Sequence, residues 1–93
     1  MFVFPDDAIW DEAREAVVFT VELGEYRGSC VVPRRVFHDL LGRRPTAEEC
    51  VQHFHLARTE FERIVEHKLV ARELEDDASL RISMRDLRRF RGP

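Results

Sequence analysis

Residues 17–32 constrain this chain more tightly than any other stretch. Val17-Val18-Phe19-Thr20-Val21-Glu22-Leu23 puts Val17, Phe19, Val21 and Leu23 on one face with period two, and its β-branched content suits a strand. Gly24-Glu25 follows as a two-residue loop, and a glycine at the first loop position supplies the positive φ that a type II′ hairpin turn needs there. Counting outward sets Leu23 opposite Tyr26, Val21 opposite Gly28, Phe19 opposite Cys30 and Val17 opposite Val32. Both strands then turn their apolar sets to one side, whereas a slip by one residue would bury Arg27 and Ser29.

Helical spacing takes over after the hairpin. Pro33 suits a first helical position, and Val36, Phe37, Leu40 and Leu41 recur at helical intervals before Gly42 closes the segment. Thr46-Ala47-Glu48-Glu49 has the capping-box pattern, and no Gly or Pro interrupts the chain from there until Gly92. An apolar stripe running from Ala47 through Phe54, Phe61 and Val65 to Leu69 predicts one long helix to about Glu73. Such a helix is about 40 Å long, against a radius of gyration near 12–13 Å for a domain of this size. Either it breaks near Val65 to Lys68, or its end packs on a second subunit. Glu75-Asp76-Asp77-Ala78-Ser79 reads as a turn, Leu80-Arg81-Ile82 as a short third strand, and Ser83-Met84-Arg85-Asp86 as a second capping pattern opening a turn of helix through Phe90. The expected fold is a single α+β domain over residues 1–93: a small three-stranded antiparallel sheet, made of the N-terminal hairpin plus a C-terminal strand, packed on one long helix, with a short helix after the hairpin.

No apolar run approaches the about 20 residues that span a bilayer, and the first residues lack the basic start and apolar core of a signal peptide, so a cytoplasmic location with no membrane contact is expected. Cys30 and Cys50 are too few for a disulfide framework and are expected to be free. The net charge of −3 is divided unevenly: seven acids and one Arg fall in residues 1–25, five Arg and one Asp in 26–45, nine acids and four bases in 46–79, and five Arg and one Asp in 80–93. Alternating blocks of this kind are expected to meet one another within the fold or across a dimer.

The chemistry-bearing residues read as structural. Cys30 falls on the buried hairpin face and Cys50 on the apolar stripe, where a thiol is an inert small hydrophobe. His53 and His55 stand about 200° apart on a helix, and no Cys-x-x-Cys or His-x-x-x-His pair offers a metal site. The acid pairs Asp6-Asp7, Glu48-Glu49 and Asp76-Asp77 sit at turns and helix starts, where carboxylates cap and complement the dipole. The four glycines at 24, 28, 42 and 92 make no phosphate loop. No catalytic, cofactor-binding or metal-binding residue is assigned, and no enzyme is expected.

Phe4-Pro5-Asp6 with Trp10, the strand carrying Val17 and Phe19, Cys30 in the next strand, and Phe54, Arg58, Glu62 and Lys68 on the predicted long helix carry a resemblance. With the acidic turn Glu75-Asp76-Asp77 before Leu80 and Ile82, this pattern resembles the small bacterial proteins of the domain-of-unknown-function family numbered 1488. The resemblance covers nearly the whole chain and implies a small stand-alone bacterial α+β protein, without bringing any activity or catalytic residue. Ala78 stands where a Gly is expected in that turn.

The expected role is therefore protein contact, including self-association. Arg58 and Glu62, four apart on the predicted helix, form an ion pair and a candidate contact point. Val70 and Leu74, with Leu56, lie roughly opposite the main stripe and would be covered by a homodimer formed through the long helix. Phe2, Phe4 and Trp10 are expected as a lid on the core. The alternative is an accessory nucleic-acid-binding protein using the Arg-rich C-terminal segment, with Arg85, Arg88, Arg89 and Arg91 as the cationic tail that would neutralise phosphates.

Overall fold

The computed structural model describes residues 1–91, and its hairpin has the register dictated by the alternation. Strands β3 (Ala16–Leu23) and β4 (Tyr26–Pro33) pair antiparallel with Leu23 opposite Tyr26, Phe19 opposite Cys30 and Val17 opposite Val32. Gly24 takes the left-handed φ of 61° that a II′ turn asks of its first loop residue. Gly28 answers a different demand. Tyr26 folds back over it, so that a Cβ at 28 would lie 2.1 Å from the tyrosine oxygen, and the hydroxyl then donates to the Ala78 carbonyl at 3.1 Å.

The sheet is larger than expected. It has five strands, not three, because β1 (Phe2–Val3) and β2 (Ile9–Asp11) both pair antiparallel with the outer edge of β3. They form one interrupted edge strand: the five residues Phe4 to Ala8 oppose only the three residues Phe19 to Val21. Pro5 cannot donate to a ladder, which explains the bulge and hides the period-two pattern. The Asp7 carboxylate fills the gap, accepting from the Thr20 N–H at 3.0 Å and from the Thr20 hydroxyl. Strand β5 (Leu80–Arg81) is where the third strand was expected, but it runs parallel to β4, with Cys30 opposite Leu80 and Val31 opposite Arg81. The intervening helices carry the chain back across the sheet, which is how parallel neighbours are joined.

Helix α1 (Arg34–Leu41) starts after Pro33 and closes at Gly42. The expected single long helix is two helices, α2 (Ala47–Leu56) and α3 (Arg58–Val70), and the break lies at Ala57 and not between Val65 and Lys68. Phe54 and Phe61 explain it. Seven residues apart, they would be about 10 Å apart along a straight helix, yet their rings stack at 5.4 Å and 17°. Phe19 packs on Phe54 at 4.7 Å and Phe37 on Phe61 at 5.9 Å, so one aromatic cluster draws both helices onto the sheet. The bend lets the chain close to a radius of gyration of 12.5 Å. Both capping boxes are present: Thr46 with Glu49 opens α2, and Ser83 with Asp86 opens α4 (Met84–Arg91).

The core joins the inward face of the hairpin to the helices, with Val17, Val21, Cys30, Phe37, Phe54 and Ile64 all at or below 1% exposure. Phe2, Phe4 and Trp10 pack against its rim as expected. The opposite face of the sheet, carrying Val18, Thr20, Glu22, Arg27 and Ser29, is half-buried to exposed.

Candidate functional site

Arg58 is the hub of a clamp. Its Nε donates to Glu62 at 2.7 Å, one terminal nitrogen donates to Asp6 at 3.0 Å, and the other reaches the carbonyls of Phe4 and Pro5 at 3.4 and 3.3 Å. The i,i+4 pair on α3 is thus also the anchor of the edge-strand bulge, a role visible only once the N-terminal segment is placed beside it. The bonds to the Glu62 and Asp6 carboxylates raise the guanidinium's affinity for its proton, the Glu62 bond most of all.

Lys68 is the second hub. Only 9% exposed, it donates to the Arg81 carbonyl at 2.6 Å and to Asp86 at 2.9 Å, binding α3 to β5 and to the start of α4. Asp86 also accepts from the Ser83 N–H and hydroxyl at 2.9 and 3.1 Å. Burial pushes this carboxyl up, but the bonds from Lys68 and Ser83 win and hold it below the ordinary aspartate value.

The C-terminal arginines stand in two kinds of surroundings. Arg89 pairs with Glu73 at 3.0 Å and Arg91 with Glu60 at 2.6 Å, while Arg85 and Arg88 are exposed and make no ion pair among the described residues. The alternating charge blocks meet inside the fold. Glu22 pairs with Arg27, Glu15 lies by Arg34 and Arg44, and Arg43 with Thr46 holds the Glu49 carboxyl down at about 2. Val70 is 73% exposed and Leu74 36%, beside a His67–Phe90 ring contact at 4.9 Å. Leu56, 87% exposed, is the last residue of α2, across the break at Ala57, so the three do not form one stripe.

Cys30 and Cys50 are free and fully buried. Burial, with the Asp7 charge added, pushes the Cys30 thiol up to about 12. Burial raises Cys50 as well. Among the described residues no group of His, Cys, Asp and Glu is arranged to hold a metal ion, and no helix is long and apolar enough to cross a membrane.

A feature unseen in the sequence lies on the open face. Ile9, Val18, Val31 and Arg81 stand opposite one another across β2, β3, β4 and β5, a transverse row of three β-branched side chains ending in a cation. Ile9 is 62% exposed and Val18 half-buried, while Val31 is buried at 8%. Val31 lies at the floor of a hollow of about 320 Å³ that Arg14 and Arg81 also line. Nothing marked the row beforehand, because β2 is too short and β5 too isolated to announce their pairing.

A two-layer α+β fold, with one bulged edge strand and one parallel edge strand, defines the class of this protein. The family model described as "Protein of unknown function (DUF1488)" matches residues 3–82, and the chain belongs to that family. Its fold is also similar to a crystal structure of a protein of unknown function from the same family in Shewanella loihica PV-4. The TM-score is 0.80 at 17% identity, covering 87% of this chain and 90% of that one. No curated protein matches the chain.

Proposed function

We propose that this domain works without catalysis, through protein contact at the open face of its sheet, and that its partner there is a second copy of the chain. The observation that carries the reading is the in-register row of Ile9, Val18 and Val31 on a face turned away from the core, with Ile9 62% exposed. Adjacent strands lie about 4.8 Å apart, so the row spans about 10 Å, with Ile9 and Val18 accessible and Val31 recessed at 8% exposure. Its two ends carry opposite charge: Asp11 follows Ile9 on the same side of β2, and Arg81 closes the row on β5. A two-fold axis near Val18 sets Arg81 of one copy against Asp11 of the other while the rows meet. The sheet face measures roughly 15 by 25 Å, or about 400 Å², against about 800 Å² per partner in a standard interface. A weak, reversible pair is therefore expected.

The sealed thiols support the non-catalytic half of the reading, as do the commitments of Asp7, Glu49 and Asp86 to backbone amides. Nucleic-acid binding by the tail has less support. Arg89 and Arg91 face Glu73 and Glu60, and Phe90, the aromatic ring of α4, is 36% exposed but packs edge-on against His67 at 4.9 Å. Sedimentation equilibrium from about 10 μM to 1 mM tests the proposal, a range chosen to bracket the dissociation expected for so small a face. The average mass should rise above 11.0 kDa with concentration. Ile9→Arg should abolish the rise and Val70→Asp should not. A constant monomer, or a rise lost with Val70→Asp alone, overturns it.

A further inference from the structure

Three segments distant in sequence bring four arginines to one cleft. Arg14 and Glu15 come from the β2–β3 connection, Arg34, Arg35 and His38 from the first turns of α1, and Arg44 from the link to α2. They line an open, shallow cleft of about 420 Å³. From these residues we propose a binding site for a small phosphorylated molecule, centred on Arg34 and bordering the open sheet face only through Arg14, which also lines the hollow over Val31.

Arg34 is built to receive an anion. Its side chain is only 16% exposed and is fixed from two sides: a terminal nitrogen donates to the Pro45 carbonyl at 2.5 Å, and the guanidinium carbon lies 4.7 Å from the centre of the Trp10 ring. Its Nε is buried without a hydrogen-bond partner. A buried charged donor left unpaired is unfavourable, and planar guanidinium matches phosphate oxygens two at a time. Holding Arg34 rigid in advance removes part of the ordering cost of binding.

Glu15 stands where the ligand would sit. Its Oε1 lies 3.6 Å from Arg34 Nε and 3.8 Å from Arg44 Nη2, too far for a hydrogen bond to either, and its side chain is 60% exposed. The carboxylate is a loose stand-in that a better acceptor displaces. Its backbone is held in place by a different means: Glu15 adopts a left-handed φ of 48°, and its carbonyl accepts the Arg34 N–H at 2.9 Å. Strain of this kind in a non-glycine residue persists where the surroundings impose it and often marks a functional loop. The remaining cations stand at the surface. Arg35 is 81% exposed with its Nε donating to Asp39 at 3.3 Å, Arg44 is 71% exposed, and Arg14 meets Asp11 only at 3.8 Å. A phosphate, with three acceptor oxygens and about −1.5 to −2 charge near neutral pH, answers these donors better than one carboxylate. A single cleft on a chain of net charge −3 also suits a small ligand over a long polyanion.

The test is titration of the ¹⁵N-labelled protein with inorganic pyrophosphate and separately with ATP, following the arginine Nε–H resonances. Saturable shifts centred on Arg34 are expected, with Arg35→Ala and Arg44→Ala each weakening binding about tenfold, as loss of a charge-assisted bond implies. Glu15→Gln should tighten it several-fold, a gain that a merely structural Glu15 would not give. Arg34→Ala also removes the Trp10 and Pro45 contacts, so the exposed Arg35 and Arg44 carry the test if that variant does not fold. No saturable shift with either probe at 10 mM, or unchanged affinity in both Arg35→Ala and Arg44→Ala, overturns the proposal. Binding of a single-stranded oligonucleotide with a steep salt slope, without binding of pyrophosphate, also overturns it.

Discussion

Lys68→Met keeps the length and most of the volume of the side chain while removing both of its donations, to the Arg81 carbonyl and to Asp86. Breaking a buried ion pair from one side costs about 3–5 kcal/mol, because the surviving charge stays desolvated. Side-chain exposures of 11% and 10% leave water little access to this pair. The loss should fall at the low end, about 3 kcal/mol, since the Asp86 carboxylate keeps two bonds from Ser83 and has Arg89 at 3.9 Å. That is a third or more of the roughly 5–10 kcal/mol expected for a domain of this length. In urea, with a slope near 1 kcal/mol/M, the unfolding midpoint should drop by about 3 M. Asp86→Asn should be destabilising alone, and the double variant should be less destabilised than the two losses added, with a coupling of about 1–3 kcal/mol. Acid should act on the same contact. The folded Asp86 carboxyl binds its proton less readily than the unfolded one, so its contribution is complete above about pH 4 and is lost as pH falls through the depressed folded value. Asp86→Asn should flatten that acid limb. A Lys68→Met loss under about 1 kcal/mol, or strict additivity in the cycle, would refute the reasoning.

Phe19→Ala should cost about 3–5 kcal/mol in denaturant melts, as for other buried aromatics. Thr20→Ala, which removes one hydroxyl bond to Asp7 from the other face, should cost about 1–2 kcal/mol, and equal losses would contradict the assigned faces. With its thiol pushed up to about 12, Cys30 holds about one thiolate in 10⁵ molecules at pH 7. Iodoacetamide should therefore label it only at the rate of unfolding, and rapid labelling of folded protein would speak against a sealed site. Ala78→Gly should raise stability by up to about 1 kcal/mol in the same melts, because Ala78 holds a left-handed φ of 67° in the acidic turn. A destabilised variant would show that the turn geometry differs.

The hairpin was legible because three independent signals agree there: the period-two alternation, the β-branched content and Gly24 at the turn. The two capping boxes were legible for the same local reason. The helix break at Ala57 was not, since neither Gly nor Pro marks it. Its cause is the packing of Phe54 and Phe61 on Phe19 and Phe37, a tertiary constraint written in residues far apart. The N-terminal edge strand was hidden because Pro5 and the bulge leave two and three paired residues, too few for a period. Parallel pairing of β5 follows from how the helices return the chain to the sheet, which a two-residue strand does not encode. Charge blocks in the sequence foretold that acids and arginines would meet, and they do. That Arg14, Arg34, Arg35 and Arg44 would share one cleft with Glu15 required the loops to be placed. The role of Arg58 as an anchor for Phe4, Pro5 and Asp6 was equally out of reach.

Backbone amide spectra of the ¹⁵N-labelled chain, recorded from about 1 mM down to 20 μM, address self-association through the open sheet face most directly, because they bracket the weak pairing expected and report the contact residue by residue. Concentration-dependent shifts should concentrate on Ile9, Asp11, Val18, Val31 and Arg81 and vanish in Ile9→Arg. Shifts confined to His67, Val70, Leu74 and Phe90, or spectra unchanged on dilution, would contradict it.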